Sequence, residues 1–87
     1  VELHTGAYAN AAKNSLEELQ LLARAATFVH QAGLILNAGH GLTYRNVTPV
    51  AELEGMEELN IGHSIVARAV FVGMAEAVRE MKDLIGR

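Results

Sequence analysis

The sequence predicts an α/β fold with parallel strands, on three observations. Short apolar runs alternate with segments of helical periodicity, the connections between them are brief, and glycines punctuate the turns. Val1-Glu2-Leu3-His4 alternates apolar and polar residues at period two and is followed by Gly6, which predicts a strand with two unlike faces. Leu16, Leu19, Leu22, Ala23, Ala26 and Val29 then recur at helical spacing. Ser15 and Glu18 stand as a capping box and Gly33 as a left-handed C-terminal cap, so a helix is predicted over 15–32.

Directly after that stop, Leu34-Ile35-Leu36-Asn37 is too short for another helix and reads as a second strand, closed by Gly39 and Gly41. Thr48 as N-cap and Pro49 at the first helical position open a short helix that Gly55 can end. Glu58 to Gly62 is the third predicted strand. From Ser64 onward Ile65, Val66, Ala69, Val70, Gly73, Ala77, Met81 and Leu84 repeat at helical spacing, predicting one long amphipathic helix to the end of the chain. The order is βαβαβα, with parallel strands joined by crossovers. Three such units leave two unpaired sheet edges and an apolar inner face, so neighbouring units are expected from elsewhere. The opening on Val1 within an apolar alternation fits the same expectation, that of a fragment of one larger domain.

Composition narrows the function classes. With 87 residues, 51% hydrophobic and 20% charged, the chain has the make-up of a soluble globular protein. A chain this short buries only about 60% of its unfolded surface, so its stability alone is marginal. It has no cysteine, hence no disulfide or thiolate framework, which fits a cytoplasmic protein. A net charge of −3 with scattered Lys and Arg offers no field for a nucleic-acid backbone. No apolar run approaches the roughly 20 residues needed to span a bilayer, and no membrane association is expected.

The most informative motif is an internal echo. Leu36-Asn37-Ala38-Gly39-His40 and Leu59-Asn60-Ile61-Gly62-His63 share the pattern L-N-x-G-H, each at the end of a predicted strand. Parallel α/β folds gather ligands at the C-terminal ends of their strands, so His40, His63 and the strand-end His4 are expected to converge. Gly62-His63-Ser64 leads straight into a helix, where outward N–H groups and the positive dipole end favour an anion. Gly39-His40-Gly41 could form a second wall; the plainer reading is that these glycines serve turns. Glu2, Asn37 and Asn60 form a polar set, in which Glu2 does acid–base work, stabilises developing positive charge, or anchors a hydrogen-bond network. His40, in a loop between glycines, is a candidate proton carrier, with ligand contact or a turn hydrogen bond as alternatives.

Other features read as structural. His30, near a helix end, complements the dipole there. Three strand-end histidines suggest zinc, but there is no H-x-H pair or cysteine to strengthen that reading, and no metal is expected. Tyr8 and Tyr44 are loop aromatics placed on a rim in preference to stacking on a ligand ring, and the stripe Met74, Val78, Met81 and Ile85 is assigned to helix packing in preference to a partner groove.

Taken together, Glu2-Leu3-His4-Thr5-Gly6 with Tyr8, Asn37-Ala38-Gly39-His40-Gly41-Leu42-Thr43-Tyr44 and Glu58-Leu59-Asn60-Ile61-Gly62-His63 resemble the C-terminal strands of the pyridoxine 5′-phosphate synthase family. The segment from Arg68 onward is similar to that family's last helix. The resemblance implies the last three βα units of a (β/α)₈ TIM barrel, with residues 1–87 a C-terminal portion of its single domain. It implies an enzyme that condenses 3-amino-2-oxopropyl phosphate with 1-deoxy-D-xylulose 5-phosphate to pyridoxine 5′-phosphate, without metal or organic cofactor, in a homo-oligomer that is an octamer in the family. By motif, His40 matches the family's proton donor and Glu2 its transition-state-stabilising glutamate. Gly41, Gly62 and His63 match residues holding the aminoketone phosphate. Further acid–base residues belong to earlier strands, so these residues alone are expected to be inactive. A structural fragment, or another phosphate-binding barrel enzyme, is the alternative.

Overall fold

The computed structural model describes residues 1–11 and 13–86. Its elements are β1 (Glu2–His4), α1 (Gly6–Asn10), α2 (Ser15–Gln31), β2 (Leu36–Gly39), α3 (Val47–Ala51), β3 (Met56–Asn60), α4 (His63–Val72) and α5 (Met74–Ile85). The strands form one parallel sheet in the order β1-β2-β3, as the alternation of strands and helices predicts. No helix among the described residues is long and apolar enough to cross a membrane.

Each element starts where side-chain burial or backbone bonding sets it, and this moves several predicted boundaries. Helix α2 has Asn14 at its N-cap and no side-chain cap, so Ser15 and Glu18 do not form the predicted box. Its exit follows prediction: Gly33 has φ 74°, its N–H bonds to the His30 carbonyl, and the Leu34 N–H reaches back to Val29, a Schellman closure. That closure occupies Leu34, so β2 begins only at Leu36 and runs through Gly39 instead of stopping at Asn37. Strand β3 likewise lies two residues earlier than predicted, because Met56 is buried in the core and pairs with Leu36. Helix α3 also starts early: Asn46 takes the N-cap and fully buried Val47 is its first residue. Pro49, at the third position, still falls among the first-turn donors that lack an intrahelical partner, so its missing N–H costs little. Gly55, with φ 83°, belongs to the turn into β3, not to the helix stop.

Two elements were not foreseen. Gly6 does not simply end β1; it opens the short helix α1, whose buried Tyr8 donates its hydroxyl to the Asn46 carbonyl at 2.7 Å. The predicted single terminal helix is two, α4 and α5, joined at Gly73 with φ 89° and ψ 156°. That conformation is open essentially to glycine alone.

The core lies on one face of the sheet. Leu36 and Ala38 of β2 pack with Val47 and Val50 of α3, Val29 of α2 and Met81 of α5. Complete burial of a side chain such as Leu36 contributes about 1.5–3 kcal/mol. Within the expected packing stripe, Met81 and Ile85 join this cluster, whereas Met74 and Val78 remain exposed. The register pairs Glu2 with Asn37, His4 with Gly39, Asn37 with Glu58 and Gly39 with Asn60, so these residues share the opposite face. The uncovered face is therefore polar near the strand ends, contrary to the apolar inner face expected.

Helices α4 and α5 are tied by the Arg68–Glu80 ion pair at 2.9 Å, and the Arg68 hydrogen bond holds the Glu80 carboxyl below the usual carboxylate range. Tyr44 donates to the Ala77 carbonyl at 2.7 Å and so anchors the loop after β2 onto α5. His30, in the last turn of α2, lies 3.8 Å from Glu54.

A Cβ built at Gly73 meets nothing within 4 Å, so substitution there is opposed by conformation and not by crowding. In a natively folded protein containing this segment, Gly73→Ala is expected to cost about 1–3 kcal/mol. Equilibrium urea unfolding should show a lowered midpoint with an unchanged m-value.

Candidate active site

The C-terminal ends of β2 and β3 open into a groove of about 450 Å³ lined by residues 40–43 and 60–64. One wall is the turn after β2. His40 is exposed and has φ 96°, a conformation that costs on the order of 1–3 kcal/mol for a residue with a side chain and persists only where its surroundings impose it. Thr5, wholly buried, donates its hydroxyl to the His40 carbonyl at 2.6 Å, while its N–H bonds to the Gly39 carbonyl at 2.9 Å. Gly41 follows with φ 75°, and a Cβ there would fall 2.7 Å from the Ala9 methyl. The loop then folds on Asn46, whose Oδ1 accepts from the Thr43 N–H at 2.7 Å and whose Nδ2 donates to the Gly41 carbonyl at 3.3 Å.

The other wall is the turn from β3 into α4. Gly62 is the N-cap of a helix that starts at His63, and the Ser64 hydroxyl donates to the Leu42 carbonyl at 2.8 Å. This bond ties the helix N-terminus to the first wall, so the two L-N-x-G-H ends border one groove. The first N–H groups of a helix lack intrahelical acceptors, and together with the dipole they attract an anion. A Cβ at Gly62 would stand in open space, and the residue has φ −133° and ψ −62°, outside the main helical and extended regions. What the missing side chain does there is leave that space clear.

Glu2 sits on the sheet face beside this groove. Its Oε1 accepts from Asn60 Nδ2 at 2.9 Å, bringing together two members of the predicted polar set. The third, Asn37, lies on the same face, and its Oδ1 is buried with no hydrogen-bond partner among the described residues. The three strand-end histidines come together in part. The rings of His4 and His40 stack with centroids 4.2 Å apart and planes 26° from parallel, while His63 lines the groove with His40. Among the described residues, no group of three or more His, Asp or Glu side chains is gathered closely enough to hold a metal ion.

Sequence reasoning brought His40, Gly41, Gly62 and His63 to one groove and Glu2 to its edge. It missed the work of Thr5, Ser64 and Asn46, whose hydroxyl and amide bonds to the backbone carry no spacing signal. Tyr8 and Tyr44, expected on a rim, are instead hydrogen-bonded packing groups, Tyr8 with its phenol pushed up by burial.

The chain is similar in sequence to known proteins. The chain is 64% identical over 84 residues to a pyridoxine 5′-phosphate synthase of Synechocystis sp., covering 94% of this chain and 35% of that protein. It is 62% identical to the enzyme of that name from Synechococcus sp., with 98% of this chain and 35% of the relative covered, and 52% identical to one from Neisseria meningitidis, with 100% and 37% covered. The chain thus spans little more than a third of the length of these relatives. The profile of the family described as pyridoxal phosphate biosynthesis protein PdxJ matches residues 1–87, and the chain belongs to that family.

Proposed function

We propose that these 87 residues are the last three βα units of a (β/α)₈ barrel and carry part of the active site of a cytoplasmic pyridoxine 5′-phosphate synthase. The complete enzyme would join 3-amino-2-oxopropyl phosphate to 1-deoxy-D-xylulose 5-phosphate as a homo-oligomer, with no metal or organic cofactor. The observation that carries this reading is the single groove between the His40-Gly41 turn and the Gly62-His63 helix start. One wall offers an imidazole, a group able to donate or accept a proton, and the other offers the first N–H groups at the positive end of a helix.

In this assignment the aminoketone phosphate sits against the backbone of Gly41, Gly62 and His63, and His63 adds a ring donor. His40 donates a proton to a departing oxygen, so that the group leaves as a neutral or less basic species. Glu2, held by Asn60, places a fixed negative charge beside positive charge that develops on the substrate as the ring closes. The name shared by the relatives, pyridoxine 5′-phosphate synthase, supports the product. The relatives' greater length supports further units that complete the barrel and the acid–base set.

His40→Ala in the full-length protein is expected to lower kcat by about 100-fold or more with little change in KM, the pattern of an interaction made in the transition state. Steady-state kinetics with both phosphate substrates checks this; a raised KM at unchanged kcat would move His40 to binding. Gly62→Val places a branched side chain where the groove is clear, and calorimetry should then show weaker binding of the aminoketone phosphate. Wild-type affinity in the folded variant would remove the phosphate from this turn. Product analysis separates the reading from another phosphate-binding barrel, which would form no pyridoxine 5′-phosphate from these substrates.

The isolated 87 residues are expected to self-associate and to make no product. β1 and β3 are the edge strands of the three-stranded sheet, and Val70 and Phe71 are 79% and 84% exposed. Ordering each residue still costs about 1–2 kcal/mol. Analytical ultracentrifugation should show concentration-dependent assembly; a sharply folded, catalytically competent monomer would contradict the proposal.

A further inference from the structure

We infer that His4, Thr5 and Gly6 form a clamp that positions the His40 imidazole, acting through it without touching substrate. The inference rests on the proton-donor role proposed for His40. The three residues act on different parts of His40. Thr5 fixes the backbone: its buried hydroxyl grips the His40 carbonyl at 2.6 Å, at the residue held at φ 96°. His4 fixes the ring: the two imidazoles stack at 4.2 Å, and the His4 ring is itself held by the Gly6 N–H donating to its Nδ1 at 3.3 Å. That bond makes Nδ1 an acceptor, so the proton of a neutral His4 sits on Nε2.

Gly6 supplies the space. A Cβ at that position would lie 2.6 Å from His4 Cε1 and 2.8 Å from His40 Cδ2, within both rings' contact distance at once. The conflict is with the ends of two side chains, not with backbone, and Gly6 has no positive φ, so alanine there displaces the rings without opposing the fold. A donor that must meet a leaving group within hydrogen-bond distance gains from such fixing, because a displacement of about 1 Å can cost 100-fold in rate.

Full-length protein carrying Gly6→Ala should retain its unfolding midpoint and lose about tenfold or more in kcat with KM nearly unchanged. His4→Ala, which removes the stacked ring, should do the same, and His4→Phe, which restores a ring face, should recover most of that loss. Thr5→Val should lower kcat and Thr5→Ser should restore it. If His40→Ala is inactive but Gly6→Ala and His4→Ala turn over at the wild-type rate, the clamp is wrong and the role of His40 stands. If His40→Ala turns over normally, both fall together. A rise in KM alone in the clamp variants would also overturn positioning. Should Thr5→Val fail to fold, Gly6→Ala and the exposed His4 decide the matter.

Discussion

The hydrogen bond from Thr5 to the His40 carbonyl is the contact on which the geometry of this end of the sheet depends. It links the residue just after β1 to the residue just after β2. With the Thr5 N–H also bonded to Gly39, the first two strand ends are closed against each other by two bonds. A buried hydroxyl without a partner costs about 1–3 kcal/mol, so this position selects strongly for the bonded arrangement. Once His40 is fixed, Gly41 can approach Ala9 closely and the loop can fold back on Asn46. Ser64 then ties the start of α4 to Leu42. The groove is the space these three ties leave.

The division of the sheet into an apolar and a polar face follows from the same short strands. Leu36 and Ala38 point toward the helices and bury completely or nearly so, which leaves Asn37 and Gly39 on the other side. Glu2, Glu58 and Asn60 fall on that side by register. An alternating strand buried against helices on one face can carry chemistry on the other at no cost to the core. The unpartnered Oδ1 of Asn37 lies in the middle of this polar face, flanked in register by Glu2 and Glu58. The cost of that acceptor thus falls beside the candidate site and not in the apolar core.

The strand order, the principal helix and the gathering of the glycine-histidine ends were legible because each leaves a periodic or repeated mark. The L-N-x-G-H echo put His40 and His63 at equivalent strand ends, and a parallel sheet brings such ends together. Boundaries were less legible where tertiary packing set them. Val47 starts α3 because it is buried, although Thr48 and Pro49 form a better local start signal. The break at Gly73 was hidden because helical spacing continues across it, so Ala69, Ala77 and Met81 keep the phase of one helix. The short helix α1 is below the length at which periodicity can be read. The inner face was misjudged because open edges suggest an apolar surface, while the alternation of Glu2 and His4 with Leu3 already pointed the other way.

Glycine acts in this site mainly by what it omits. Glu2 of β1 and Asn60 of β3 belong to strands that are not neighbours, and hydrogen-bonded strands lie roughly 4.8 Å apart, so a bond between them has to pass over β2. It passes at Gly39: a Cβ there would lie 3.0 Å from the Asn60 Cβ and 3.0 Å from Glu2 Oε2. Any larger residue would push against the carboxylate and the amide together and separate the pair. Gly6 stands in the same relation to the rings of His4 and His40. In both places a pair of polar side chains meets across a missing one. Neither glycine has a positive φ, but a Cβ at Gly39 would also come within 3.0 Å of the Asn60 carbonyl oxygen, so there the neighbouring backbone opposes a side chain as well as the Glu2–Asn60 pair does. Gly6 is therefore bound to the paired rings more tightly than to the backbone and Gly39 to both, whereas Gly33 and Gly73, which open on empty space, answer to the backbone alone.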